Sequence, residues 1–372
     1  MQVLQIDAQI ENLCLAISKS STRHSFATRL GELCRWNKEN RRKVAKCGGL
    51  QALVAVLSSS ARSKNIQDVT AIANTLSILA LDTDNKRIMV DPALQGGGCD
   101  VISIVRLCMF QLCQGGHGGQ AIKYVAPPTN AGVPTVCLTA LAKLIWNVSN
   151  VGSDYEWDAA TNTDNSNHNS DGNNNQKNEQ TSSSLIVLLV SEFLWLSDQL
   201  RMSSGDQMSA KNKASTRGVS EVSEARYQIL GALWSLSTSI GKWNDDQAMS
   251  FEPLLTEIVI LIDTAAATNN DDAHNNDTTM VTNDRTPEVN YESAVGGLHD
   301  AFTRNVCTAG IGLLGNLLDN SSLLLKIRNQ KMKDGYCERV LMRLLTVAKK
   351  DDCDHIANLA FSALSKLLPD PV

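Results

Sequence analysis

The chain has 372 residues, with 34 lysines and arginines against 39 aspartates and glutamates and a formal net charge of −5 at pH 7. Hydrophobic residues make up 43% of it and aromatic residues 5%, which predicts a soluble helical protein with an aliphatic core. No apolar run, including the longest near 185–196, is as long as a membrane span, and no basic region precedes an apolar one at the start. We therefore expect neither membrane insertion nor secretion.

A segment near the N-terminus carries the clearest pattern. Val44, Leu53 and Leu57 share one face of a helical period. Gly48 and Gly49 interrupt that period, and glycine readily adopts the left-handed conformation that ends a helix. The segment therefore predicts two short helices that meet at a sharp corner.

The order Asn40-Arg41-Arg42-Lys43-Val44, followed by paired glycines and a Leu-Val stripe, resembles the signature of armadillo repeats. Asn85-Lys86-Arg87-Ile88 restates it after a second apolar stripe. In that family, units of about forty residues and three helices stack into a solenoid that usually holds another polypeptide. The resemblance implies an all-α, right-handed α-α superhelix of armadillo or HEAT type, formed by residues 1–372 as one domain.

Aligning the ends of the third helices predicts about six units. These ends are Leu33-Cys34, Ile78-Leu79-Ala80, Asn147-Val148-Ser149, Ser235-Leu236-Ser237, Asn316-Leu317-Leu318 and Lys366-Leu367-Leu368. The middle intervals exceed one unit, so insertions must separate the helices. Composition places disordered insertions at about 114–134, 158–184, 203–220 and 264–291, because these segments hold too few large apolar residues to offset the entropy of ordering.

The armadillo resemblance also implies a binding surface. In that family the third helices line a concave groove, where an Asn near each helix end bonds the backbone of an extended ligand. Asn147 and Asn316 have that residue type at that place, and Ser235 stands between them. Three units depart from the pattern, with Leu33, Ile78 and Lys366 at the same position.

Trp146 and Trp234 each precede this position by one residue, in segments that resemble β-catenin-like repeats. They are either aromatic anchors for a partner or core residues between units. The importin-α type instead places Trp four residues before the Asn. Lys143, Gly231 and Gly312 stand there, which argues against an import receptor.

Basic residues are concentrated in the first repeat, around Arg41 and Arg42, whereas many aspartates lie in or beside the predicted insertions. This end either attracts an acidic partner or is a solvated face shielded by the chain's own acidic loops. Direct nucleic-acid binding is not expected, because no aromatic residues are interleaved with the charges.

A narrower resemblance is to cohesin-release factors of the wings-apart-like type. It rests on Asn147-Val148-Ser149-Asn150, Glu156-Trp157 and Arg226-Tyr227-Gln228-Ile229-Leu230-Gly231, which occur in the same order but at shorter spacing.

No catalytic or metal-binding motif stands out. Cys99, Cys108, Cys113 and His117 lack the spacing of a zinc site, and the glycine runs precede no Lys-Ser or Lys-Thr pair. Most cysteines fall on apolar helix faces, which favours a reducing compartment, the cytoplasm or nucleus. We expect no enzyme activity, cofactor or metal.

We therefore expect a non-catalytic scaffold that binds a protein or extended peptide along the third-helix groove, through Asn147, Ser235, Asn316, Trp146, Trp234, Arg41 and Arg42. The alternatives are a structural subunit of a larger assembly, such as a wings-apart-like cohesin regulator, or an importin-like adaptor. The sequence does not set the oligomeric state.

Overall fold

The computed structural model describes residues 2–19, 21–90, 101–113, 134–149, 185–205, 214–238, 240, 245–267, 298, 300–329 and 335–368. Within these ranges the chain forms helices and no strand. The chain divides into two compact units, Met1–Glu192 and Phe193–Val372. The boundary lies inside one helix, and a single domain over 1–372 stays a prediction.

The first unit consists of stacked helical hairpins. Its described helices, in chain order, are α1 (Gln2–Lys19), α2 (Arg23–Arg35), α3 (Lys38–Lys46), α4 (Gly49–Arg62), α5 (Ile66–Leu79), α6 (Thr83–Val90), α7 (Val101–Cys113) and α8 (Thr135–Ser149). Helices α1, α4 and α7 pack side by side in one row, α2, α5 and α8 in a second, and α3 contacts α6 in a third. Each repeat thus adds one helix to each row.

The second unit repeats this arrangement. The helix α9 (Leu185–Gly205) crosses the boundary, and the described helices after it are α10 (Ala214–Ser237), α11 (Asp245–Met249), α12 (Glu252–Ala267), α13 (Ala301–Leu317), α14 (Ser321–Asn329), α15 (Tyr336–Lys350) and α16 (Asp354–Leu367). Helices α10, α13 and α16 form one row, α12 packs on α15, and α11 packs on α14. The part of α9 in this unit contacts α10, where the Arg226 guanidinium lies 5.1 Å from the Phe193 ring centroid, and α12, where Arg201 pairs with Glu257.

All six third-helix ends predicted from the sequence fall at the ends of α2, α5, α8, α10, α13 and α16. We refer to Leu33, Ile78, Asn147, Ser235, Asn316 and Lys366 as the end positions of these third helices. The core beneath them is aliphatic, as expected, and Leu53, Leu76, Leu141, Ile258 and Leu313 are all fully buried. Replacing such a leucine by alanine typically costs about 2–5 kcal/mol.

The corner between α3 and α4 explains the paired glycines. Gly48 has a φ of 73°, in the left-handed region that glycine adopts without strain. A Cβ on Gly49 would lie 2.6 Å from both Cys14 Sγ and Val44 Cγ1, so only glycine allows this approach. The helices meet at 76°, which confirms the predicted corner.

The Asn-rich signature forms the turn between a third helix and the next repeat. The Asn37 side chain accepts a bond from the Asn40 backbone N–H and caps α3. Asn40 Nδ2 donates to the Leu33 carbonyl at 2.6 Å, near the end of α2, where carbonyls lack helical partners.

The next repeat contains the same turn. Asp82 Oδ1 accepts bonds from the backbone N–H groups of Asp84 and Asn85 at the start of α6, and Asn85 Nδ2 donates to the Leu79 carbonyl at 3.1 Å. Asn40 and Asn85 therefore make equivalent hydrogen bonds to the end of the preceding third helix, as expected of a repeated motif.

The predicted insertions lie largely outside the described residues. Two are shorter than the composition indicated, because α9 continues to Gly205, α10 begins at Ala214 and α12 continues to Ala267. Polar residues in these stretches extend helices that their neighbours have already nucleated.

In the described part of the chain, no single helix is both long and apolar enough to cross a membrane. The bent pair α3 and α4 passes that test only when the two are joined.

Candidate partner-binding surface

Three of the six end positions, Asn147, Asn316 and Lys366, join successive third helices by hydrogen bonds. In the first unit, Asn147 Nδ2 on α8 donates to the Ser77 carbonyl on α5 at 3.0 Å. In a continuing helix the Leu81 N–H would donate to the Ser77 carbonyl. Here the turn at the end of α5 directs it to the Ile78 carbonyl instead, so the Ser77 carbonyl has no helical partner. The last carbonyls of a helix have no intrahelical partner. Asn147 thus satisfies an otherwise unpaired acceptor of the preceding repeat.

The second unit shows the same contact twice. Asn316 Nδ2 on α13 lies 3.4 Å from the Trp234 carbonyl and 2.9 Å from Ser237 Oγ on α10. Lys366 Nζ on α16 donates to the Gly315 carbonyl on α13 at 2.9 Å. In all three cases the acceptor directly precedes the end position of the previous third helix.

These contacts change the expected role of the end positions. One of the two Nδ2 hydrogens of Asn147 is used within the chain, and the other hydrogen and Oδ1 make no further bond to the described residues. Lys366, which departs from the family's Asn, makes the equivalent internal contact with an ammonium group. Ser235 is only 9% exposed, so little of its surface is available to a partner.

The two tryptophans are half-buried. Trp234 packs between two third helices, because a Cβ on Gly312 of α13 would lie 2.3–2.6 Å from its indole ring. This supports the core alternative for Trp234 while leaving part of its ring exposed. Gly312 is the position where the importin-α type has a Trp, and here the neighbouring indole covers it.

A polar surface remains on the third helices. We define the third-helix surface as the side chains four, eight and eleven residues before each end position. In the first unit, α5 and α8 contribute Asn74, Thr70, Gln67, Lys143, Thr139 and Val136, all exposed or half-buried. Lys143 is the charged side chain among these six, so the surface is rich in amides and hydroxyls.

In the second unit, α13 and α16 contribute Thr308, Asn305, Ser362, Asn358 and His355, again exposed or half-buried. In α10, Tyr227 packs edge-to-face on Phe302 with centroids 5.7 Å apart, and Glu224 accepts a bond from Gln228. The outward positions of α13 and α16 therefore also offer hydrogen bonds without carboxylates.

The basic cluster of the first unit is largely paired within the fold. Arg41 Nη1 donates to the carbonyls of Cys34 and Arg35, at 2.9 and 3.2 Å. Arg42 lies 3.3 Å from Glu39 and from the buried carboxylate of Asp82. Arg41 thus stabilises the turn after α2, and Arg42 joins α3 to the turn after α5.

Lys43 lies 3.4 Å from Glu11 and 3.7 Å from Asp7, whose carboxylate raises the lysine pKa. Carboxylates within the fold therefore offset much of the positive charge of Arg42 and Lys43. The shielding expected from the acidic loops concerns residues outside the described ranges.

The buried cysteines in the described part of the chain are not activated as nucleophiles. Burial raises the pKa of Cys14 to about 11 and the pKa values of Cys34, Cys108 and Cys307 to about 12. A nucleophilic cysteine needs the opposite shift. Within the described ranges, no three His, Cys, Asp or Glu side chains converge as a metal site would require. Cys99 and His117 lie outside those ranges.

Comparison with solved structures found proteins of the same architecture. An engineered protein shares 12% identity with this chain at a TM-score of 0.50, over 96% of each chain. A designed armadillo repeat protein has 12% identity and a TM-score of 0.49, over 96% of this chain and 100% of its own. Another, solved in complex with the peptide (KR)4, has 12% identity and a TM-score of 0.47, over 96% and 99%.

The chain has an all-α, armadillo-like repeat fold. The three-row stacking of helices within each unit shows it, and the engineered protein has a similar fold. No protein-family model matches the sequence, and no curated protein matches it either. The likeness at 12% identity is one of fold, and the wings-apart-like resemblance has no support from it.

Proposed function

We propose that this protein is a non-catalytic scaffold that binds an extended segment of a partner protein along the third-helix surface. The observation that carries the proposal is the run of outward amides and hydroxyls on consecutive third helices, at matched positions and above a filled core. An extended peptide exposes one N–H and one C=O per residue, which such groups can bond.

The chemistry of this surface favours an uncharged or mildly acidic segment. Asn74, Lys143 and Ser362 occupy equivalent positions, four residues before the end positions, and none is a carboxylate. A basic peptide would meet Lys143 in the first unit without a compensating charge on α5 or α8. Asn147 Oδ1 and the exposed edge of Trp146 extend the same surface toward the helix ends.

The internal bonds of Asn147, Asn316, Arg41 and Arg42 guide the choice of test variants. Substituting these residues would loosen the fold as well as any interface, so a loss of binding would be ambiguous. Asn74 and Lys143 are exposed side chains. The variant Asn74→Arg, Lys143→Glu therefore alters the surface while keeping the stacking contacts.

The test begins with affinity capture from a native lysate and identification of the bound segment by crosslinking. That segment is then synthesised and titrated by calorimetry against wild type and the double variant. The matched control is Gln51→Arg, Lys349→Glu, on exposed positions of α4 and α15, neither of which is a third helix. We expect the surface variant to weaken binding at least tenfold and the control to leave it unchanged.

Equal binding by wild type and the surface variant would refute binding along the third-helix surface and favour the structural-subunit alternative. The remaining details are proposals from sequence alone. Location in the cytoplasm or nucleus rests on the thiol content. The wings-apart-like alternative rests on segments of which Asn150 and Glu156-Trp157 lie outside the described ranges. An importin-like adaptor is disfavoured by the covered Gly312.

A further inference from the structure

The residue three positions after each end position is exposed in each of the four repeats whose described residues include it. We call this place the rim position. Trp36 and Leu81 occupy it in the first unit, 90% and 54% exposed, and Thr238 and Asp319 occupy it in the second. In the second unit Thr238 donates to a backbone carbonyl at 2.8 Å, and Asp319 pairs with Lys366 at 2.7 Å. The fold therefore accepts polar side chains at the rim position.

Trp36 and Leu81 expose apolar surface that the fold does not require at this place. In the described part of the chain, no large hydrophobic side chain apart from Trp36 is more than 70% exposed. Leu81 follows α5, which packs against α2 on one side and α8 on the other, so stacking on both sides leaves the rim position open. Exposed apolar side chains at matched positions of adjacent repeats mark an interaction surface.

Hydrogen bonds and an ion pair hold the two rim side chains of the first unit in a fixed arrangement. Arg41 Nη1 donates at 3.2 Å to the carbonyl of Arg35, directly before the tryptophan. Arg42, the next residue, lies 3.3 Å from the buried carboxylate of Asp82, directly after the leucine. Packed helices lie about 8–10 Å apart, so a partner that meets both side chains spans about one repeat. This fixed arrangement reduces the entropy that is lost on binding.

The charges around Trp36 indicate the chemistry of the partner. Arg35 and Lys38, one residue before it and two residues after it, are exposed and make no ion pair with the described residues. The nearest carboxylates in the sequence, Glu32 and Glu39, pair with other arginines at 3.1 and 3.3 Å. Two cations beside an exposed indole therefore lack counter-charges, and carboxylates of a partner would supply them.

The carboxylates of this region distinguish between classes of partner. Glu32 and Glu39 have 55% and 77% of their side chains exposed, and Asp84 has 66%. A bilayer or a nucleic acid presents a continuous anionic surface, which would meet these carboxylates as well as the cations. A peptide places each carboxylate individually, so it can pair with Arg35 and Lys38 without this repulsion. The charge pattern therefore favours a protein segment.

We propose that the rim positions Trp36 and Leu81 bind an acidic segment of a partner protein, in which two apolar side chains lie beside carboxylates. The indole and the leucine side chain lose water against the partner's apolar side chains, and Arg35 and Lys38 pair with its carboxylates. This surface is separate from the third-helix surface, because neither rim residue lies four, eight or eleven positions before an end position. Its occupant can therefore be tested independently of the proposed function.

The probe is a library of random peptides displayed on phage. The library is first cleared on the double variant Trp36→Ser, Leu81→Ser and then selected on the full wild-type chain, so that the retained peptides need the rim side chains. We expect an enriched family that combines aspartate or glutamate with aromatic or aliphatic residues. The proposal is wrong if no family depends on the two side chains, or if the dependent family lacks carboxylates.

The enriched peptide is then synthesised and titrated by calorimetry against single variants. Trp36→Ser should weaken binding about tenfold or more, and the exposed indole can be removed without unfolding the chain. Lys38→Glu should weaken binding about threefold or more, and added salt should weaken binding by wild type. Lys38 lies in the first turn of α3, where a glutamate favours the helix dipole, so this variant stays folded. Leu325→Ser, at a 55% exposed position on α14, is the matched control and should bind as wild type does.

Two further variants and probes separate this proposal from its neighbours. The variant Asn74→Arg, Lys143→Glu should keep full affinity for the peptide. If it loses as much affinity as Trp36→Ser, the peptide lies on the third-helix surface, and the rim proposal fails while the proposed function stands. Vesicles of phosphatidylserine and phosphatidylcholine should not pellet the chain. Pelleting that Trp36→Ser abolishes, with peptide binding unchanged, would make the rim a membrane contact and overturn the proposal.

Discussion

In the first unit, the amide of Asn147 joins α8 to the Ser77 carbonyl of α5, whereas in the second unit Asn316 and Lys366 make the equivalent contacts. An amide and an ammonium thus serve the same carbonyl position in different repeats. In these three repeats the end position of a third helix is a donor that reaches a backbone carbonyl of the preceding repeat. The residue type can vary, because the acceptor is backbone.

The largest loss of stability is expected from a change in the packing of α10 on α13, the pair of helices that Asn316 joins. Gly312→Ala should destabilise the protein by about 1–3 kcal/mol, because its Cβ would meet the Trp234 indole well inside contact distance. Gly315 on the same helix has nothing within 4 Å of a built Cβ, so Gly315→Ala should be neutral or stabilise by up to about 1 kcal/mol. Urea denaturation measures both, and equal effects would contradict the packing of Trp234 described here.

Removing the charge partner of Asp82 tests whether the first unit depends on its paired arginines. Asp82 is 1% exposed and lies 3.3 Å from Arg42, so Arg42→Ala leaves a buried carboxylate with less compensation. We expect a loss of about 1–3 kcal/mol in the free energy of unfolding. Arg29→Ala, which removes an exposed pair with Glu32, should cost at most about 0.5 kcal/mol. A larger loss for Arg29 would show that exposed charge dominates.

Substituting the donors Asn147 and Lys366 compares an amide with an ammonium group at the same contact. Asn147→Ala should cost about 1 kcal/mol, and Asn147→Asp should cost more, because a carboxylate would face the Ser77 carbonyl without a donor. Lys366→Met should cost a similar amount, but added salt should shrink the difference because Lys366 also pairs with Asp319 at 2.7 Å. Unfolding at two salt concentrations separates the cases. Salt dependence at Asn147 would contradict the account.

The smallest expected effect concerns helix caps. Asp300 caps α13 and accepts the Thr303 backbone N–H at 2.7 Å, and this bond holds the Asp300 pKa below its usual value. Its contribution is therefore present above the unfolded pKa and is lost as pH falls through the folded pKa. Asp300→Ala should cost about 1 kcal/mol at neutral pH and less in acid. Asn37→Ala, at the neutral cap of α3, should cost about the same at both pH values.

Much of the fold follows from local sequence. Gly48 and Gly49 predicted the corner, and Asn40 and Asn85 indicated a repeated unit, because these residues act on neighbours within a few positions. The six third-helix ends followed from aligning the chain with the armadillo unit that it resembles. The extents of α9, α10 and α12 did not, since polar residues continue a helix once its apolar face has packed.

The site was harder to predict than the fold. Lys366 counted as a departure from the armadillo pattern, yet it makes the same contact as Asn316 through a longer side chain. Arg41 was expected at a partner, but it bonds carbonyls of its own repeat. These internal bonds could not be read from the sequence, because a donor's target depends on contacts that sequence spacing does not encode, and a partner contact at Arg41 stays a prediction. A side-chain donor at each site was the signal available in the sequence, and it could not distinguish a partner's carbonyl from the chain's own.

The most direct test of the central claim is hydrogen exchange, read by mass spectrometry, on wild type and Asn147→Ala. The account predicts faster exchange at the C-terminal end of α5, where the Ser77 carbonyl loses its donor, with exchange in α2 unchanged. Unchanged exchange throughout α5, combined with a lower affinity for a captured partner segment, would contradict it. Asn147 would then act on the partner and not on the preceding repeat.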